Sequence, residues 1–235
     1  MNTPPSTWPL ADACARTSCA TQSLTAPADK RILSCVCDGT SRALHAVLRS
    51  HVDANPGSAP YVPALWDERV VPLCAVDTSP DAASFLWNGS MPNSLTPRLA
   101  DVSELVRTIV ERLCMNAQEV VVAVVLLDAL CVRYGPIIQR YSARPLLLAA
   151  CILARKLARD ADAPTPSCVR ALEDHFTALT PELGARIECQ LLTYLDWRIP
   201  NDPEVYKRHT LGLLKEGTPR NKLPPSIVDV PWLFE

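Results

Sequence analysis

Glycine is scarce in this chain, with seven in 235 residues, while proline is frequent at 22. Tight hairpin turns depend on glycine, so a sheet of hairpins is disfavoured and helices joined by stiff connectors fit better. No Gly-rich phosphate loop occurs, and position 2 is Asn, which excludes N-myristoylation in the form the motif requires. Long apolar runs are missing too. The longest, Val120–Leu127 and Leu146–Ala154, fall short of the roughly 18–20 residues that a membrane span needs. Charge of one sign is also lacking, since 23 Lys and Arg oppose 25 Asp and Glu. A net charge near −2 gives no reason to expect nucleic acid or a membrane surface as partner. His45, His51, His175 and His209 show no HExxH or triad-like setting, so no catalytic site and no enzyme is expected. Glu173-Asp174-His175 reads as an exposed helix-surface cluster.

Ten cysteines are present, several inside apolar helical patterns, where they behave as small core residues. Cys35-Val36-Cys37 has the donors for a metal but lacks a matching second pair, so neither metal nor cofactor is implied. The polar, Pro-rich start shows no signal-peptide pattern. Free thiols and an intracellular setting, cytoplasm or nucleus, are therefore expected.

What is present is a sizeable core, at 48% hydrophobic residues, enough for one domain of roughly 100–200 residues plus tails. Residues 1–29 lack helical period and read as a disordered tail. Residues 30–51 carry a helical pattern that Asp38-Gly39 interrupts, which predicts a broken or two-part helix. Residues 52–100 hold much of the proline, and their apolar residues predict extended segments and short helices lying over a core. From Asp101 the pattern is regular. Val102, Leu105, Val106, Ile109, Val110 and Leu113 form one helical face, with Asp101 and Glu104 as a capping-box-like start. Asn116 and Glu119 repeat that signal for a helix over about 117–134, although its valines also suit a buried strand. Ser142 begins a third helix, apolar nearly all round and so expected to be central. Thr165-Pro166, Thr180-Pro181 and Asp202-Pro203 each pair an N-cap with a first-turn proline. They predict helices over 166–178, 181–196 and from 203 to near Gly217. The Pro-rich tail beyond carries Trp232 and Phe234, which are expected to pack back on the domain.

This order of helices, with Lys156 near the end of the third and Glu188 in the fifth, resembles the cyclin box. The resemblance implies an all-α chain, a five-helix box over 101–200 with extra N-terminal and C-terminal helices. Residues 30–100 would be an extension packed on the box, and 201–235 a final helix and tail. Arg107, in LVRTIVERL, and Asp128, in VVLLDALC, match the acid and base that pair and brace two helices in the family. Lys156, in LARKLARD, and Glu188, in RIECQLL, match the kinase-binding lysine and glutamate. Leu153 and Leu157 match the apolar contacts around the lysine, and Leu192, Trp197 and Ile199 those that follow the glutamate. The leucine expected early in the third helix falls on Pro145. The short gap from Arg107 to Asp128 resembles cyclin Y and the single-box P/U-type cyclins. Leu105–Val110 is similar to FVRTLF text there, and Arg155–Asp160 to SKxxDD, with Arg159 in place of the first acid and Asp160 kept. The region 31–73 is similar to what precedes that box. Too few residues follow Ile199 for a second box, which agrees with the single-box group.

The resemblance implies a regulatory subunit for a cyclin-dependent kinase, of PCTAIRE or Pho85-like type, with a cell-cycle role typical of the family. Lys156 and Glu188 would satisfy backbone groups at the edges of the kinase helix. Taken singly, Lys156 is a helix-end lysine near the dipole's negative end, and Glu188 a mid-helix acid of the kind that usually faces solvent. The alternatives are a helical, transcription-factor-like adaptor of the same fold, or a cyclin fold without kinase binding. Thr3, Ser79, Thr96, Thr165, Thr180 and Thr218 precede proline and are candidate phosphorylation sites, Thr165 and Thr180 being read first as caps.

Overall fold

Asn116 shows how closely the local chemistry sets the helices. In a computed structural model its side chain accepts from the Glu119 backbone N–H at 2.9 Å. The Glu119 carboxylate accepts from the Asn116 N–H at 2.7 Å, completing the capping box. The structure describes residues 27–52, 61–74, 97–159 and 164–219. Among them the chain forms seven α-helices, one 3-10 turn at Ala64–Trp66, and no strand. The α-helices are α1 (Pro27–Val52), α2 (Leu99–Arg112), α3 (Ala117–Tyr134), α4 (Ala143–Ala158), α5 (Thr165–Leu172), α6 (Pro181–Tyr194) and α7 (Pro203–Gly217). The valine-rich segment is helix α3, because its cap and its length outweigh β-branching. Thr180 and Asp202 cap α6 and α7 through the N–H groups of Leu183 and Glu204.

The layers are built around α4. Every residue from Ala143 to Ala154 is buried, as expected of a helix apolar on all sides. Helices α3 and α6 pack along it, α2 touches it at one edge, and α5 lies against α6. Helix α1 runs across α2, α3 and α7. Ser142 does not cap α4 in the usual way. It is buried, and its hydroxyl donates to the Ile137 carbonyl at 2.7 Å while accepting from the Gln139 N–H.

Three elements differ from the sequence reading. Helix α1 is unbroken and already begins at Pro27, because Asp38-Gly39 is a crossing point and not a break. A Cβ on Gly39 would lie 2.1 Å from the Leu213 carbonyl oxygen, and one on Gly217 only 1.7 Å from that of Cys35. The glycines thus let α1 and α7 meet backbone to backbone. Helix α2 starts at Leu99, with Asp101 in its first turn accepting from the Arg98 N–H at 3.2 Å. Helix α5 ends at Leu172, short of the expected 178. Residues 1–26, Ser79, Thr96 and the tail with Trp232 and Phe234 lie outside the described residues.

The described part of the proline-rich region, 61–74, lies over the core. Trp66 and Leu73 are fully buried, and the Ala178 N–H donates to the Leu73 carbonyl at 3.0 Å. Glu68 reaches into the same layer to pair with buried Arg144 at 2.5 Å. Burial pushes the Glu68 carboxyl above its ordinary value, against the pull of the guanidinium. Cysteines 35, 37, 74, 131, 151, 168 and 189 are free thiols, and burial raises Cys37 to about 12. Cys114, in contrast to the expectation of free thiols throughout, is disulfide-bonded.

Candidate functional site

The last turn of α4 leaves the core at Lys156. The helix directs this side chain toward α5 and α6, where three residues close a hydrogen-bonded cluster. The Lys156 ammonium donates to both Glu188 carboxylate oxygens at 2.6 and 2.7 Å, and to the Thr165 hydroxyl at 2.6 Å. Thr165 in turn donates to Glu188 Oε2 at 2.7 Å. An ammonium has three donors, and all three are used. Glu188 is therefore not a solvated surface acid: its side chain is only 9% exposed, against 30% for Lys156. Thr165 was read as a cap and is not one. It lies inside α5, buried, with its hydroxyl committed to the cluster. The one sequence signal for that role was its spacing of nine from Lys156.

An apolar rim in two parts lies on the same two helices. Leu157, on the last turn of α4, is 40% exposed, and Trp197, after α6, is 65% exposed; they are two of several exposed large apolar side chains, with Tyr61 and Val132 among the others. Leu192 and Ile199 are half-buried. Leu153 is 4% exposed and belongs to the core. Asp160 lies outside the described residues. Trp197 stands out because of how α6 ends. The Trp197 N–H donates to the Leu192 carbonyl at 2.8 Å and the Asp196 N–H to Thr193 at 3.0 Å, the bond pattern of a Schellman motif. That motif wants a left-handed residue after the cap, usually glycine. Here Asp196 (φ 52°) and Trp197 (φ 56°) both adopt it. Left-handed backbone costs a non-glycine residue about 1–2 kcal/mol. Asp196 also pairs with Arg133 at the end of α3, which anchors the turn.

The ion pair expected between Arg107 and Asp128 is not there. Arg107 bonds Asp38 of α1 at 2.7 Å, and Asp128 faces His209 of α7 at 3.2 Å. The physical reason is the placement of the flanking helices. Helix α1 packs on α2 and supplies an acid to Arg107, while α7 packs on α3 and supplies a base to Asp128. The bracing role falls instead to a pair that sequence reasoning missed. Glu119, whose side chain is fully buried, bonds Arg159, which also donates to the Cys114 carbonyl at 2.7 Å. In the sequence Arg159 stands out only as a replacement for an acid of the family text. A buried glutamate in a capping box, with no cation within its own turn, was the signal that a partner must come from elsewhere.

The one hydroxyl in the cluster, that of Thr165, is committed to both Lys156 and Glu188. Its thiol neighbour, Cys168, is pushed above its ordinary value by burial. The arrangement offers surfaces for recognition, with exposed apolar side chains at the end of α4 and just past α6 and a satisfied polar cluster between the helices. In comparisons with known proteins, the chain matches no family model, no curated protein and no solved structure.

Proposed function

We propose that this chain is a cyclin-type regulatory subunit that binds and activates a cyclin-dependent Ser/Thr kinase. The observation that carries the reading is an apolar rim in two parts. Leu157 stands exposed on the last turn of α4 next to Lys156 of the Lys156–Thr165–Glu188 cluster, and Trp197 stands exposed on the turn after α6, at the far end of α3. A kinase becomes active when a helix-borne glutamate meets a strand lysine and the activation loop is ordered. Moving one helix and one loop reaches that state. An apolar kinase helix laid on the rim would bury Trp197 and Leu157, and tryptophan at the centre of an interface commonly contributes most of the binding energy. Because Lys156 has its three donors engaged, the cluster acts first by fixing the rim. Glu188 keeps a remaining lone pair for a donor on the partner.

The test is co-precipitation of the full chain with PCTAIRE-type and related cyclin-dependent kinases, followed by a phosphorylation assay. The expected result is an active complex that Trp197→Ala and Leu157→Asp each abolish while circular dichroism is unchanged. Capture of DNA or polymerase in place of a kinase supports the adaptor reading. No capture of either leaves a cyclin-like fold without kinase binding.

A further inference from the structure

Arg155, Lys156 and Arg159 follow one another around the end of α4. Two of these cations are engaged inside the chain. Lys156 gives its three donors to Glu188 and Thr165. Arg159 bonds the Glu119 carboxylate and the Cys114 carbonyl. The acids are engaged as well. Glu188 accepts from Lys156 and Thr165, and Glu119 from Arg159 and the Asn116 N–H. Arg155 is the cation left over. Its side chain has no ion-pair or hydrogen-bond partner among the described residues, and its Nε is buried without an acceptor.

A solvated surface arginine would need no explanation, but Arg155 is half-buried. Burial pulls its guanidinium below the ordinary value; repulsion from Arg159 adds to the pull, while Cys168 and Glu119 oppose it. A buried donor without an acceptor is destabilising, and nothing else in the chain accounts for this one. The desolvation is already present in the free chain, so it does not recur on binding. An anion that meets the guanidinium there gains an attraction that water screens poorly. We propose that Arg155 is a specificity-determining contact, which receives one aspartate or glutamate side chain of the kinase that docks against the end of α4. The inference rests on the kinase reading and adds to it the charge that the partner carries at one point. With Nε closed off, the carboxylate meets the two Nη groups, a fork that suits it bidentately. Lys156 cannot take the same role, because it has no free donor. Leu157, two residues further on and 40% exposed, supplies the apolar contact at the same edge.

The test is the binding isotherm of the full chain with the cyclin-dependent kinase that it captures, for the parent, Arg155→Met and Arg155→Glu. Arg155→Met keeps the stem and removes the charge. It should bind about tenfold more weakly, the loss of one charged hydrogen bond, while its melting temperature holds or rises because an unmatched charge has gone. Arg155→Glu should bind at least about a hundredfold more weakly, since like charges then meet. Reversal of surface Asp and Glu residues of the kinase to Arg, one at a time, should find one position that restores binding to Arg155→Glu and weakens it to the parent. The proposal is overturned if both variants bind like the parent, if weaker binding comes with a matching fall in melting temperature, or if no reversal restores binding. If phosphatase treatment of the kinase alone removes the dependence on Arg155, the contact is to a phosphate group and the carboxylate assignment fails. A parent chain that captures no kinase overturns the kinase reading and this inference together. A parent that captures one, with no effect of either Arg155 variant, overturns this inference alone.

Discussion

Removing Lys156 and removing Glu188 should have unequal costs, although they are partners in one ion pair. The two ends of the pair differ in access to water. Lys156 is 30% exposed and sits on a flexible stem, so without Glu188 its ammonium can turn into solvent. Glu188 is 9% exposed and mid-helix, so without Lys156 its carboxylate stays in place with Thr165 as its one remaining side-chain donor. Breaking a fully buried pair by deleting one partner costs about 3–5 kcal/mol, and an exposed pair at most about 1. Lys156→Met therefore should cost about 2–3 kcal/mol, while Glu188→Met costs about 1 or less. At roughly 2–4 °C per kcal/mol for a domain of this size, a difference of about 1–2 kcal/mol should separate the melting temperatures by about 2–8 °C. Urea denaturation of both variants and of the double variant measures the asymmetry and the coupling together. Equal losses, or a larger loss from Glu188→Met, would refute the assignment of the carboxylate as the trapped member. Kinase capture by Glu188→Met, compared with the parent at matched stability, then separates rim positioning from direct contact.

The bracing pairs should rank the same way. Arg159→Ala leaves the fully buried Glu119 carboxylate without its cation and should cost about 2–4 kcal/mol, whereas Arg107→Ala, at a side chain 55% exposed, should cost less than about 1 in the same denaturant assay. Gly39→Ala should destabilise by more than about 2 kcal/mol, because a methyl 2.1 Å from the Leu213 carbonyl oxygen forces the two helices apart, while Gly212→Ala should stabilise by about 0.5–1; thermal melts report both. Hydrogen bonds from Arg69 and Arg98 hold the Asp67 and Asp101 carboxyls below their ordinary value of 3.8. The stability they add is complete above that value and is lost as pH falls through the lower folded values, so Asp67→Asn and Asp101→Asn should flatten the acid limb of the stability–pH curve.

Local chemistry was readable wherever it stayed local. Asn116 with Glu119, Thr180 with Pro181, and Asp202 with Pro203 announced helix starts that the structure contains, because each cap is settled within one turn. The apolar run to Ala154 announced a central helix for the same reason, since burial on all sides needs no knowledge of the neighbours. Gly39 was misread because its cause lies in a helix almost the whole chain away. A glycine that breaks a helix and one that admits a second helix look alike in sequence. Thr165 was misread as a cap because a hydroxyl before proline fits that role, and only the fold brings Glu188 to it. Arg107 and Asp128 were paired by analogy, while their actual partners, Asp38 and His209, belong to the flanking helices whose docking no local pattern records. That two consecutive left-handed residues present Trp197 was not legible, since neither is glycine.

The contact between α1 and α7 also bears on how the chain is made. Cys35 and Thr218, whose side chains meet there, are 183 positions apart in sequence. At about 5–20 residues per second, the ribosome needs roughly 10–40 s to produce the second after the first. Through that interval the Cys35–Gly39 face of α1 stands without the helix that later covers it. Chain closure of this length is slow to nucleate and leaves apolar surface open meanwhile. The nascent chain is thus exposed to chaperones until α7 has emerged to close the contact.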